Sequence, residues 1–158
     1  MPALKVPAAR DWKQSRSFVA DPAPEMFAPG FELRGWDALR ARVKRALYGC
    51  DCYAYALCAS GFVELVCEAD LMPYDYLAVV PVVLGAGGAM TDWEGRALTL
   101  PNHDLSRGRV LCAANETLHA EALAALKRAP PVSAAVRNAF VAGLACGVAA
   151  MVLMRTRA

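Results

Sequence analysis

The chain has 158 residues, of which 57% are hydrophobic and 20% are charged, and its net charge is +2 at pH 7. This length and composition favour one folded domain with a packed core, and they exclude general disorder. Charges of both signs are interspersed along the sequence and the net charge is small, so the charge balance gives no electrostatic case for a nucleic-acid partner.

Short apolar segments alternate along the chain with segments of helical periodicity. The predicted elements are, in chain order, a strand over 17–20, an amphipathic helix over 31–47, a helix over 51–60, a strand over 62–67, a helix over 76–84, strands over 89–92, 97–100 and 109–114, and a helix over 116–128. Asp92 and Trp93 are assigned to a hairpin turn without a chemical role. Alternating helices and strands imply a layered α/β domain.

The tail of the chain differs from this region. Residues 139–154 carry no charge and are bounded by arginines, and two prolines separate them from the domain. A helix of that length measures about 24 Å, slightly short of a hydrocarbon core of about 30 Å. Two interpretations stay open, a membrane anchor that holds the domain on the cytosolic side and a buried helix that covers apolar surface.

The cysteines and histidines do not form a recognisable metal site. Cys50 and Cys52 have the spacing CxC rather than CxxC, and no second pair completes four zinc ligands. The six cysteines lie mostly in apolar runs and no secretory leader is visible, so we expect free thiols, mostly buried, and a cytoplasmic location. His103 and His119 are both predicted to be surface residues.

The residues suited to chemistry lie between positions 49 and 75. Gly49-Cys50-Asp51 precedes a predicted helix, whose free N–H groups and dipole attract phosphate, unless Asp51 only caps that helix. Glu68 ends a strand and Asp75 begins a helix, so both can lie at one edge of a sheet, where open α/β sheets bind ligands. Asp75 offers carboxylate oxygen to a hard cation such as Mg²⁺. The alternative is that Asp75 caps its helix and Glu68 is a solvated strand end.

In this order, these residues resemble a known family. Segment 48–128 is similar to the C-terminal half of the inositol monophosphatase superfamily, and in particular to its histidinol-phosphate phosphatase branch. The motifs that carry the resemblance are Gly49-Cys50-Asp51-Cys52-Tyr53-Ala54-Tyr55-Ala56-Leu57, Glu68, Pro73-Tyr74-Asp75 and Glu94-Gly95-Arg96. The resemblance implies an α/β fold of layered α+β type, with a mixed sheet flanked by helices. It divides the chain into an irregular segment 1–15, a subdomain 16–128 and an added tail 129–158.

The resemblance also implies a role for each matching residue. Asp75 corresponds to an aspartate that binds metal and helps orient the attacking water. Glu68 corresponds to a carboxylate that holds a substrate hydroxyl or amine, and Asp51 to a position that contacts substrate. Gly49 and Cys50 correspond to the pair that approaches the phosphate, with Cys50 where the branch usually has a second glycine. The implied reaction is Mg²⁺-dependent hydrolysis of a small phosphate monoester of the histidinol-phosphate or inositol-phosphate type.

The other metal-binding motifs of the family do not occur in this sequence. They are a Gly-Glu motif and an Asp-Pro-(Ile/Leu)-Asp-Gly-Thr motif, and Asp75 alone cannot assemble a two-metal site. Three interpretations follow: a truncated phosphatase, an inactive relative that serves as a binding or scaffold module, and a chain whose partner supplies the missing half. Apolar surface that the missing half would cover favours a homo-oligomer.

Overall fold

A computed structural model describes residues 18–21 and 26–128 of the chain. The strands are β1 (Phe18–Asp21), β2 (Arg45–Tyr48), β3 (Leu65–Glu68), β4 (Ala89–Thr91) and β5 (Val110–Ala113). The helices are α1 (Phe31–Arg40), α2 (Cys52–Ala59), α3 (Pro73–Tyr76), α4 (Val80–Gly85), α5 (His103–Ser106) and α6 (Glu116–Arg128), and a 3₁₀ turn covers Leu100–Asn102.

The strands form one mixed sheet in the order β2-β1-β3-β5-β4. Strand β1 runs parallel to β2 and β3, whereas β5 is antiparallel to both β3 and β4. Every residue of β3 and β5 is buried, as expected of central strands covered on both faces. The predicted layered fold with a mixed sheet is therefore confirmed.

Alternation along the two central strands builds a core on each face of the sheet. Val66 and Cys112 face α2 and α4, whereas Leu65 and Leu111 face the aromatic and aliphatic side chains of α1 and α6. Helices α1 and α6 pack closely at Gly35, where an added Cβ would lie 2.9 Å from Leu126 Cδ2. The sheet is thus fixed from both sides, which gives a rigid support to the loops at its edges.

Two predicted helices differ from the structure. The helix predicted over 31–47 ends at Arg40, and its last residues form β2 instead, because pairing with β1 satisfies their backbone groups. The helix predicted over 76–84 is divided into α3 and α4. Pro81 lies in the first turn of α4, where its missing N–H costs no helical hydrogen bond.

The other elements agree with prediction to different degrees. Helix α6 has the predicted bounds, and β1, β4 and β5 lie at or within a residue of the predicted strands. Strand β3 begins three residues later than predicted, at Leu65, and ends at Glu68. The strand predicted over 97–100 is wrong, because only one isolated bridge, between Thr91 and Ala97, forms there. Among the described cysteines none forms a disulfide, and Cys58, Cys67 and Cys112 are buried as expected.

The predictions for the two ends of the chain concern residues that the structure does not describe. Segment 1–15 and the tail 129–158, with its predicted anchor over 139–154, lie outside the described residues. Within residues 18–21 and 26–128, no helix is both long enough and apolar enough to cross a membrane.

Candidate functional site

A cleft of about 340 Å³ opens where β3 ends and α2 and α3 begin. It is lined by Met26, Asp51, Cys52, Glu68, Asp70, Leu71, Tyr74 and Asp75. Asp51, Glu68 and Asp75 come from three different elements of the chain, and the fold brings them to one cleft. Gly49 and Cys50 are not among its lining residues.

Glu68 forms part of the cleft wall although its residue surface is only 1% exposed. The hydroxyl of Tyr55, on α2, donates a hydrogen bond to Glu68 Oε2. Burial and, after it, the neighbouring Glu68 carboxylate raise the pKa of Tyr55 well above its usual value. The interpretation of Glu68 as a solvated strand end is therefore wrong.

Asp75 lies in the first turn of α3 and is half-buried. Its Oδ2 accepts a hydrogen bond from the backbone N–H of Met72 at 2.7 Å, so the residue does cap its helix. Its Oδ1 forms no hydrogen bond within the described part of the chain. Capping therefore uses one carboxylate oxygen and leaves the other able to serve a ligand.

Asp51 precedes α2 with an exposed side chain that makes no capping hydrogen bond. Its backbone has φ 44°, a conformation that residues other than glycine adopt rarely. Two N–H groups of the first helical turn, those of Tyr53 and Ala54, already donate to the carbonyls of Cys50 and Asp51. The helix start is thus less open to phosphate than its sequence predicts, and the Asp51 carboxylate is the group that it presents to the cleft.

Asp70, which was not among the predicted site residues, is exposed in the same cleft. Asp70 has φ 61° and also lines an adjoining cleft of about 400 Å³, together with Glu32 and Arg107. A close backbone crossing supports it, since the N–H of Leu71 donates to the Gly108 carbonyl at 3.2 Å and a Cβ at Gly108 would lie 2.3 Å from Leu71 O. The sequence feature that could have indicated Asp70 is its position as a polar residue just after a buried strand.

Both histidines lie away from the cleft lining, and one of them is buried. His119 is 8% exposed, and its Nε2 lies 2.8 Å from Thr91 Oγ1, so the prediction of a surface residue is wrong. Burial lowers the pKa of His119, against a smaller opposing effect of its hydrogen bond to the backbone of Leu111. His103 is half-buried, with Nδ1 3.0 Å from the Tyr76 hydroxyl.

Sequence comparison bears directly on this cleft. Residues 27–130 match the sequence model of the inositol monophosphatase family, and that stretch contains all of the cleft residues except Met26. The chain belongs to the inositol monophosphatase family. The predicted superfamily is therefore confirmed.

Two relatives support the same family and the predicted histidinol-phosphatase branch. The chain is 42% identical over 118 residues to the chloroplastic bifunctional phosphatase IMPL2 of Arabidopsis thaliana, covering 73% of this chain and 34% of that protein. It is 34% identical over 76 residues to the histidinol-phosphatase of Chlorobaculum parvum, covering 48% of this chain and 27% of that protein. The chain thus spans about a third of the length of the curated relatives that it matches.

Solved structures give the same fold. An inositol monophosphatase from Zymomonas mobilis superimposes with a TM-score of 0.64 at 36% identity, covering 70% of this chain and 42% of that one. An inositol monophosphatase from Anabaena, at 22% identity, superimposes with a TM-score of 0.64 over 83% of this chain and 52% of that one.

A metal site for a member of this family would need more ligands than the described residues supply. Among residues 18–21 and 26–128, no group of three or more histidine, cysteine, aspartate or glutamate side chains is arranged to hold a metal ion. Mg²⁺ prefers octahedral oxygen coordination and often takes only one or two protein carboxylates. Asp75 Oδ1 could serve as one such ligand. The described residues alone do not provide enough ligands for a two-metal centre.

Proposed function

We propose that this domain forms the substrate-binding side of a phosphate monoester hydrolase whose ligand is of the histidinol-phosphate or inositol-phosphate type. One observation carries the proposal: Asp51, Glu68 and Asp75, each at a position that the family motifs assign to ligand or metal, line a single cleft. The similarity to a bifunctional phosphatase and to a histidinol-phosphatase supports it.

The carboxylates of the cleft suggest how such a ligand would be held. Glu68, in a buried position where charge interactions are strong, would accept hydrogen bonds from an ammonium or hydroxyl group of the ligand. Asp51 would complement the same part of the ligand from the start of α2. Gly49 and Cys50 keep their proposed role near the phosphate, since they directly precede Asp51, which lines the cleft.

Asp75 would supply one ligand to Mg²⁺ and thereby place the phosphate group. When bound, Mg²⁺ polarises phosphate oxygens and lowers the pKa of a coordinated water. The chain itself contributes orientation, because the hydrogen bond from Met72 N–H fixes the carboxylate plane of Asp75.

The second candidate is a binding or scaffold module without catalysis. The small number of metal ligands in the described region favours it, since a cation held by a single carboxylate is weakly bound. The module would use the same cleft and the same contacts to Glu68 and Asp51. Only turnover separates the two candidates.

Phosphate release by the purified chain tests the proposal. With Mg²⁺ and histidinol phosphate, turnover should fall by about 10- to 100-fold or more in Asp75→Asn, because loss of even an outer-shell partner of a metal ligand typically costs that much. Asp37→Asn removes an exposed carboxylate on α1, outside the cleft, and should leave the rate unchanged. Inositol phosphate as the second substrate tests the ligand class.

The remaining outcomes each decide a point. Turnover that persists in Asp75→Asn would show that the reaction does not occur in this cleft. Calorimetric binding of histidinol phosphate without turnover would establish the binding module. A folded chain that neither binds nor hydrolyses either ester would refute both candidates.

Homo-oligomerisation is part of the same proposal. Several large apolar side chains are exposed, among them Phe62, Val82, Leu84 and Leu100. An exposed apolar surface favours association, in this case between copies of the chain. Sedimentation velocity over a hundred-fold concentration range would show a dimer, and a monomer at every concentration would refute this part.

A further inference from the structure

We propose that Tyr55 is a positioning residue, whose buried hydroxyl holds the Glu68 carboxylate in the orientation that meets the polar, non-phosphate part of the ligand. This inference rests on the proposed function, because it requires Glu68 to contact the ligand. It concerns a residue that does not line the cleft and that acts only through another side chain.

The geometry separates the two residues by role. Both are 1% exposed, and the Tyr55 hydroxyl donates to Glu68 Oε2 across thirteen residues of sequence. Glu68 reaches the cleft from the end of β3, whereas Tyr55 stands behind it on α2. The carboxylate therefore faces the ligand on one side and is fixed by the phenol on the other.

A buried carboxylate needs such a donor. Burial of an ionised group is costly unless hydrogen bonds compensate it, and O–H···O⁻ bonds are among the strongest in proteins. The bond also restricts the rotamers of Glu68, which would otherwise present its two oxygens in several directions. Because burial raises the pKa of Tyr55 well above its usual value, the phenol keeps its proton and remains the donor throughout neutral pH.

The same bond joins two walls of the cleft. Tyr55 follows Asp51 by one helical turn, so its position fixes the start of α2 relative to the end of β3. Loss of the hydroxyl would alter how Glu68 and Asp51 together meet an ammonium or hydroxyl group. The contact of Asp75 with the phosphate group would be much less affected, because Tyr55 makes no hydrogen bond to α3 among the described residues.

The experiment compares two probes by calorimetry in the presence of Mg²⁺, histidinol phosphate and inorganic phosphate. Tyr55→Phe should weaken histidinol phosphate about 10-fold, within the range of pairwise couplings, and should change the affinity for inorganic phosphate less than about two-fold. In a Glu68→Ala background, which removes the carboxylate that Tyr55 holds, Tyr55→Phe should add little further loss. A merely structural role would weaken both probes and would add its full effect in that background.

Tyr76→Phe is the matched control. It removes another buried hydroxyl with a hydrogen bond, to His103 Nδ1 at 3.0 Å, but that partner lies outside the cleft lining. Both affinities should stay unchanged. Should Tyr55→Phe fail to fold, the hydroxyl proton of Tyr55 in the unsubstituted chain gives the same information: its NMR resonance should move on addition of histidinol phosphate and not of phosphate.

The outcomes distinguish this inference from the function on which it rests. Tyr55→Phe with unaltered affinity for histidinol phosphate, or with equal losses for both probes, overturns the positioning role and leaves the proposed function standing. A hydroxyl resonance that does not respond to histidinol phosphate has the same meaning. If the unsubstituted chain does not bind histidinol phosphate, the proposed function fails and the inference fails with it.

Discussion

Two carboxylates of this domain, Glu68 and Asp92, are almost equally buried, at 1% and 2% exposure, and are held in opposite ways. The oxygens of Asp92 accept hydrogen bonds from the backbone N–H groups of Glu94 and Arg96, at 2.9 and 2.8 Å, and from Arg96 Nε at 2.6 Å. All of these partners lie within four residues. Asp92 therefore stabilises its own turn.

Glu68 is held from a distant element and reaches a cleft. Its partner Tyr55 lies thirteen residues earlier, and its side chain contributes to the cleft wall. The difference between Glu68 and Asp92 shows that burial alone does not identify a residue that binds a ligand. A carboxylate held by its own turn belongs to the fold, whereas one that is fixed from behind and faces a cleft can serve a ligand.

The largest expected effect of a substitution is at Asp92. Asp92→Ala should lower the free energy of unfolding by about 3 kcal/mol, because buried donors and a charged partner lose their acceptor. Urea denaturation measures this loss, and Asp92→Asn, which retains one oxygen, should lose less. The affinity of the folded variant for histidinol phosphate should be unchanged. A loss of affinity as large as that of a Glu68 variant would show that Asp92 also serves ligand binding.

Glu68→Gln should show the reverse pattern. It keeps the shape and an acceptor for Tyr55 but removes a buried charge, so the free energy of unfolding should change by less than about 1 kcal/mol. Affinity for histidinol phosphate should fall about 10-fold or more, since a charge-assisted contact is lost. Calorimetry and urea denaturation on the same sample check both statements. Retained affinity with a large loss of stability would make Glu68 a structural residue.

The difference between the two carboxylates also explains what sequence could predict. Asp92 was correctly assigned to a turn, because all of its partners are local, and α6 was predicted to the residue from its amphipathic pattern. The burial of Glu68 was not predicted, because it depends on Tyr55 and on sheet pairing across the chain. The helix over 31–47 failed for the same reason, since pairing with β1 decides the conformation of residues 45–48.

Asp70 was missed because its conformation is fixed by a contact far along the chain. The left-handed backbone of Asp70 lies beside the close contact between the backbones of Leu71 and Gly108. No local sequence pattern predicts that contact. The family resemblance predicted that Asp51, Glu68 and Asp75 lie in one pocket. The spacing of these residues alone did not decide this. Most elements could thus be predicted from local patterns, whereas the candidate site could be predicted only from the resemblance.

A smaller effect concerns His119, which has a distant partner, Thr91, but does not line the cleft. Its folded pKa is lowered from about 6.5 by burial, so the unfolded chain binds more protons and stability falls as the pH decreases below about 6.5. Between pH 7 and pH 5 we expect a loss of about 1 kcal/mol or less from this residue.

Thermal unfolding of His119→Gln tests this residue. The variant should lose less stability than the unsubstituted chain over the same pH interval, and its affinity for histidinol phosphate at pH 7.5 should be unchanged. An affinity loss would show that a long-range polar pair can affect ligand binding without facing the cleft. That outcome would weaken the distinction drawn between Glu68 and Asp92.

The most direct test of a ligand-binding cleft at the end of β3 is a ¹⁵N NMR titration of the chain with histidinol phosphate and Mg²⁺. Saturable shifts should concentrate at the amides of Asp51, Glu68, Asp70 and Asp75, which come from separate segments but line one cleft. The amides of the Asp92 turn should stay in place. Saturable shifts centred on that turn, or no saturable shifts in a folded chain, would contradict the account.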